Sequence, residues 1–248
     1  MTQFSDWLAL GPISRRRLAW DDTGNNGSRN AFGLQGVGRG YLQELVPAAK
    51  AAFATTADIT GAGAITLAAN GSSIVGTTHP ANGSSIYLLD CERCVSVVST
   101  ANISGVTFTL TGYDNYGQQL TATGTGPNNG TATFLKAVRA VQSMTASGTA
   151  NPVTVQTADV FGLNVALNAR GYLGSAYFNG TSCETVTTAD QTSPATGATG
   201  DVRGTITTGT AGTSNGTRRL IVTAFASDAQ ISPDAASSGT SIYGVTQV

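Results

Sequence analysis

Val106-Thr-Phe-Thr-Leu-Thr111 alternates without a break: Val106, Phe108 and Leu110 fall on one side of the chain, and three threonines fall on the other. A period of two belongs to a β-strand with one buried and one wetted face. The same signal spreads outward in both directions. Upstream lie Ala64-Ile-Thr-Leu-Ala68, Ser85-Ile-Tyr-Leu-Leu89 and Cys94-Val-Ser-Val-Val-Ser99. Downstream come Gln119-Leu-Thr-Ala-Thr123, Thr131-Ala-Thr-Phe-Leu135, Val138-Arg-Ala-Val-Gln-Ser143 and Pro152-Val-Thr-Val-Gln156. After Leu167 the series resumes with Tyr172–Phe178, Val202–Thr207, Arg219–Phe225 and Ser241–Val248. Short runs at this spacing, separated by turn residues, predict an antiparallel sandwich or jelly roll.

Composition agrees. Of 248 residues only 11% are charged, against about 25% in an ordinary soluble domain. Glycine supplies 31 residues and threonine 37, whereas there are two Lys and three Glu. Surface helices draw heavily on Glu, Lys, Leu and Arg, so this chain reads as strands and turns. A hydrophobic fraction of 40% is enough for a core and argues against bulk disorder. The net charge of −1 gives no global attraction to nucleic acid or to an anionic membrane. No apolar stretch approaches the roughly 20 residues that span a bilayer as a helix. The first ten residues lack the basic start and apolar run of a secretory signal, so synthesis in a cytoplasm is expected.

Three regions are expected. Residues 1–50 read as an extended N-terminal arm with little regular structure, except for one short helix at Leu42 to Phe53. Residues 51–160 read as the antiparallel β-sandwich core, and 161–248 as strands that complete the sandwich or form a second small β unit. The arm carries six of the thirteen basic residues and both tryptophans, and its formal charge is +2 against −3 for residues 51–248. Within it, Arg15, Arg16 and Arg17 lie between Trp7 and Trp20. Aromatic and arginine side chains dominate interface energetics, so these five are the candidate partner-contact residues. The two tryptophans can equally fill the domain's own core. A run of three arginines, offset at once by Asp21 and Asp22, does not make a nucleic-acid site.

Other motifs read as structure. Asn-Gly-Ser/Thr triplets begin at Asn26, Asn70, Asn82, Asn129, Asn179 and Asn215, and Asn-Gly is the dipeptide of tight hairpin turns. Cys91-Glu-Arg-Cys94 has the spacing of thiol redox motifs and of half a zinc site, but it lies between two β runs rather than at a helix start. A zinc site would need Cys183 and His79 as well; packed or half-exposed free thiols are the plainer reading. The single histidine, His79, gives any nucleophile–base scheme only one candidate. Asp114-Asn-Tyr-Gly117 reads as a turn between strands. Gly33-Leu-Gln-Gly-Val-Gly-Arg-Gly40 does not sit between an apolar strand and a helix, as a phosphate-cradling loop would. No catalytic residue, metal or cofactor is therefore expected.

Phrases in the C-terminal half carry a resemblance. They are Ala158-Asp-Val-Phe-Gly-Leu163, Thr192-Ser-Pro-Ala-Thr-Gly-Ala-Thr-Gly-Asp-Val-Arg-Gly-Thr205, Gly216-Thr-Arg-Arg-Leu-Ile-Val222 and Tyr243-Gly-Val-Thr-Gln247. These resemble virion structural proteins of tailed bacteriophages, in particular the capsid decoration or cement proteins of the head-gene cluster. The likeness covers residues 85–248, is made of phrases rather than of catalytic signatures, and does not reach the first 50 residues. It implies a non-enzymatic β-domain, assembled into the virion in the host bacterial cytoplasm. Its partners would be the major capsid protein or other virion proteins, and itself as a homo-oligomer. A tail, head–tail connector or fibre-base component is the alternative, and a carbohydrate-binding adhesin module, with loops 111–117 or 185–200 on the glycan, is a second.

Overall fold

The computed structural model describes residues 39–115, 117, 119–163, 173–183, 185–187 and 204–226. Fourteen strands and one 3-10 turn account for the regular structure of this part, with no α-helix among the described residues. In chain order they are β1 (Arg39–Leu45), β2 (Ala52–Ile59), β3 (Gly63–Ala64), β4 (Ile74–Thr78), β5 (Ser85–Asn102), β6 (Thr107–Tyr113) and β7 (Gln119–Thr125). There follow β8 (Asn128–Ala146), β9 (Ala150–Gly162), β10 (Leu173–Phe178), β11 (Thr181–Ser182), β12 (Thr185–Thr187), β13 (Thr205–Thr207), the 3-10 turn Gly209–Ala211 and β14 (Leu220–Ala226). Every recorded pairing is antiparallel. The expected all-β, antiparallel, sandwich-like class is what the chain adopts.

A ten-stranded sheet runs β12-β13-β9-β5-β8-β6-β7, with β2, β3 and β4 paired at the flanks of β9, β8 and β5. The alternation at 106–111 is realised: Phe108 and Leu110 are fully buried and Thr107 is exposed. They join Val95, Val97, Phe134, Val141 and Met144 in the main core. The expected short runs at 85–89 and 94–99 are one strand of 18 residues, and those at 131–135 and 138–143 are one strand of 19. Polar residues between the runs look like turns in the sequence, but bulges absorb them. Leu88 pairs with Ala140 and Arg93 with Val138, so Leu89 through Glu92 lie over Arg139 alone. The next pair, Val95 with Phe134, leaves an excess on β8 instead. Both strands bend at the same level, and residues 91–97 of β5 are buried on both faces.

A second, four-stranded sheet has the order β1-β14-β10-β11. It closes its own core of Ala176, Phe178, Cys183, Leu220 and Val222 over Cys91, Phe161 and Ile206 of the large sheet. The helix expected at Leu42 to Phe53 is absent. Residues 42–45 belong to β1, which pairs with β14 over seven residues, and 52–53 begin β2. Leu, Gln, Glu and Ala favour helix locally, but Pro47 interrupts the segment and a partner far away in the chain captures it. Residues 39–45 of the expected arm are thus regular strand, while residues 1–38 lie outside the described residues.

The expected turns occur at Asn70, Asn82, Asn179 and Asn215, whereas Asn129 and Gly130 lie inside β8 and Asn26 lies outside the described residues. Asn179 and Gly180 both have positive φ, 51° and 82°, and form the two-residue loop between β10 and β11. Asn82 and Asn215 each accept a backbone N–H from two residues on, at 3.0 Å. Elsewhere glycine is required by contact. A Cβ on Gly112 would stand 2.5 Å from the Ala140 carbonyl oxygen and 3.0 Å from Val138. Gly112→Ala is therefore expected to cost about 1–3 kcal/mol in urea unfolding. Gly61→Ala, where a Cβ would meet nothing within 4 Å, should stay within about 0.5 kcal/mol of the parent.

Candidate docking surface

The inner face of the small sheet is apolar and covered, with Leu220, Val222 and Phe178 at most 2% exposed. Gln43 joins this side through its amide, which donates to the Gly162 carbonyl at 2.8 Å. The outer face is different. Pairing sets Glu44, Ile221 and Tyr177 in one row and Leu42 beside Thr223 in the next. Leu42 is 64% exposed, Tyr177 45%, and Val46, just beyond β1, 50%. Ile221 and Thr223 are half-buried. Arg219 Nε sits 3.0 Å from Glu44 Oε1 at the rim. Three of the five exposed large hydrophobic side chains among the described residues therefore gather on or beside this one face. Apolar residues ringed by charge are the usual make-up of a docking patch.

What holds this face in place is Arg93. It is completely buried at the bend of β5, where an unpaired charge would be very costly. Nε donates to the Ala158 carbonyl at 2.9 Å and Nη1 to the Ala48 carbonyl at 3.1 Å. Nη1 also meets both Asp90 carboxylate oxygens at 3.3 Å, while Nη2 donates to Asp159 Oδ1 at 3.1 Å and to Ser214 Oγ at 3.2 Å. The Ser214 hydroxyl in turn donates to Asp159, and Lys50 Nζ lies 4.0 Å from the other Asp159 oxygen. The guanidinium rests over the Phe161 ring, 5.1 Å from its centroid. Ala48 follows β1 and Ser214 precedes β14, so one side chain fastens both segments leading to the small sheet onto β5 and β9. Ala48 N–H to Asp90 Oδ2 (2.7 Å) and Gly216 N–H to the Pro47 carbonyl (2.9 Å) reinforce it.

The remaining candidates are placed as follows. Trp7, Arg15, Arg16, Arg17 and Trp20 lie outside the described residues. Cys91, Cys94 and Cys183 are buried and form no disulfide. Cys91 faces the small-sheet core together with Cys183, whereas Cys94 packs with Ala137 and Ala158. Among the described residues no group of three or more His, Cys, Asp or Glu side chains is placed to hold a metal ion. His79 lies between β4 and β5, stacked on Tyr113 with ring centroids 4.6 Å apart, and its Nδ1 accepts the Ala81 N–H at 3.2 Å. Tyr113 donates to Gln142 and accepts from Asn82, at 3.4 and 3.3 Å. This set ties the 79–84 turn to the end of β6. Asp114 and Gly117 close a turn through a backbone bond of 3.2 Å.

Comparison with known protein families, with curated proteins and with solved structures finds no match. In the sequence Arg93 is masked by the thiol spacing of Cys91 and Cys94 on either side. A lone arginine inside an apolar β run, three residues after an aspartate, is the signal that marks it.

Two measurements probe the clamp. Arg93→Met leaves the half-buried Asp90 and Asp159 carboxylates without the guanidinium that pairs them and should cost about 3–5 kcal/mol in urea unfolding. Burial first, and then the neighbouring Asp90 carboxylate, push the Cys91 thiol from 9.0 up to about 12. The folded chain thus keeps its proton while the unfolded chain loses it, and stability falls as pH rises from 9 towards 12. The Cys91 contribution to that slope is about 1.4 kcal/mol per pH unit. Cys91→Ala should show a correspondingly shallower loss of its urea midpoint between pH 9 and 11.

Proposed function

We propose that this protein is a non-enzymatic structural component of a tailed-bacteriophage particle. It binds the major capsid protein or neighbouring virion proteins from outside and contacts further copies of itself. The observation that carries the reading is the outer face of the small sheet. Leu42 on β1, Val46 just beyond it and Tyr177 on β10 are exposed there beside the Glu44–Arg219 ion pair. Support also comes from the charge-poor composition, which suits a chain whose surface is hidden by assembly, and from the phage-like phrases at 158–163 and 216–222.

The mechanism is mechanical. The face and the arm, with Trp7, Arg15, Arg16, Arg17 and Trp20, add buried area across the joints of a shell, and shell opening then has to expose that area again. Paired threonines such as Thr109 with Thr123, and Thr111 with Thr121, stiffen the domain at roughly 0.2–1 kcal/mol per pair.

The test is rebinding of the purified full chain to particles lacking it. Tens to hundreds of copies per particle are expected at saturation, whereas a handful would move the protein to the tail or connector. Leu42→Asp with Tyr177→Asp should weaken binding about tenfold or more, roughly 1.4 kcal/mol. Trp7→Ala with Trp20→Ala should do the same. Thermal unfolding of the first pair should match the parent, because both sites are on the surface. Absence of any binding to particles would sink the reading.

A further inference from the structure

Five Asn-Gly pairs fall among the described residues, at Asn70, Asn82, Asn129, Asn179 and Asn215, and each is followed by serine or threonine. An asparagine before glycine is open to attack by the next backbone nitrogen, because glycine has no Cβ to obstruct the approach. With such similar neighbours the five share one intrinsic chemistry, so the fold is what separates them.

Four of the five are held. Asn70 Nδ2 donates to the Ala52 carbonyl at 3.0 Å, and its backbone N–H and carbonyl are both bonded to Ile74. Asn82 Oδ1 accepts from the Ser84 N–H and hydroxyl at 3.0 and 2.8 Å, while Nδ2 donates to the Tyr113 hydroxyl at 3.3 Å. The Gly83 N–H that would attack it donates to the His79 carbonyl at 3.0 Å. Asn215 Oδ1 accepts from the Thr217 N–H and hydroxyl and from the Arg218 N–H, at 3.0, 2.9 and 2.9 Å. Gly216 N–H is bonded to the Pro47 carbonyl at 2.9 Å. Asn129 lies inside β8, where Gly130 pairs with Ser99. Each of these bonds must break before side chain and nitrogen can meet, which makes the reaction depend on local opening.

Asn179 and Gly180 are exposed in the loop between β10 and β11. Asn179 is anchored through its backbone, whose N–H donates to the Arg219 carbonyl at 2.8 Å. A Cβ on Gly180 would meet nothing within 4 Å, so the loop stands in open space. β11 has two residues, and a hairpin closed by so short a strand opens easily.

We propose that Asn179 is a self-modification site, converted to isoaspartate and aspartate by attack of the Gly180 nitrogen. That nitrogen gives its proton to hydroxide and bonds to Asn179 Cγ. The Cγ–Nδ2 bond breaks, and Nδ2 leaves as ammonia with a proton from water, which regenerates the hydroxide. Water then opens the cyclic imide at either carbonyl. The sum is amide plus water to acid plus ammonia, with nothing oxidised or reduced. In the isoaspartate product the main chain runs through Cβ, so the loop gains a backbone atom. A longer loop no longer sets Phe178 opposite Thr181, and the Cys183 N–H bond to the Ala176 carbonyl (2.9 Å) weakens with it. None of this rests on the particle reading.

The test is peptide mapping by mass spectrometry of the full chain aged at mildly alkaline pH, folded and in urea. In the folded chain Asn179 should convert about tenfold or more faster than Asn70, Asn82, Asn129 or Asn215. In urea the five should fall within about threefold of one another, since the folded bonds are gone. Asn179→Gly removes the reacting carboxamide, keeps a residue suited to the turn, and should abolish conversion at this site. In the isolated isoaspartate product the Cys183 amide should exchange about tenfold faster. A lead held by another of the five, equal rates in the folded chain, or an Asn179 lead that persists in urea overturns the assignment. Unchanged Cys183 exchange overturns the proposed loss of register.

Discussion

The buried guanidinium of Arg93 is the constraint around which the described structure is arranged. Its donors are met by two backbone carbonyls, two carboxylates and one hydroxyl, drawn from β5 itself, β9 and the segments flanking β1 and β14. A charge with no exposure to water tolerates no partial solution, because any missing acceptor leaves a desolvated donor behind. The four segments must therefore arrive together. A leucine there would pack, but it would not dictate where Ala48 and Ser214 go. The bulge at Leu89–Glu92 is the backbone side of the same requirement, since it falls immediately before Arg93, which pairs with Val138 and Phe161.

The large sheet supplies bulk and the small sheet supplies surface. Threonine-faced β6 and β7 bury Phe108, Leu110 and Leu120 on one side and show hydroxyls on the other. Such a face is wetted and weakly adhesive. On the small sheet the outward positions carry Leu42 and Tyr177 instead. Among the described residues, three of the five exposed large hydrophobic side chains thus stand on or beside the small sheet.

Local signals carried much of the fold. The strand at 106–111 is legible because its period is written in six consecutive residues, and the Asn179-Gly180 hairpin because two residues decide it. The long strands were not legible: Cys91-Glu-Arg-Cys94 breaks the alternation, and only pairing with β8 and β9 shows that the strand runs through it. β1 was missed for a related reason. Its helix-favouring residues are captured by β14, with Arg39 opposite Ala226, and no window of local sequence contains both. The docking face inherits that difficulty, since Leu42, Tyr177 and Ile221 meet only after the sheet has formed. The candidate contacts Trp7, Arg15–Arg17 and Trp20 remain readings of residue chemistry alone.

The placement of the clamp has a consequence for how the molecule bears load. Arg93 grips Ala48 and Ser214, both beyond the end of the β1–β14 ladder where Leu45 meets Leu220. The chain enters β1 at the opposite end, at Arg39. Tension applied at Arg39 along β1 would therefore load all seven rungs in shear at once instead of parting them one by one. A joint loaded in this way yields late and abruptly, like a lap joint and not like a peeled strip.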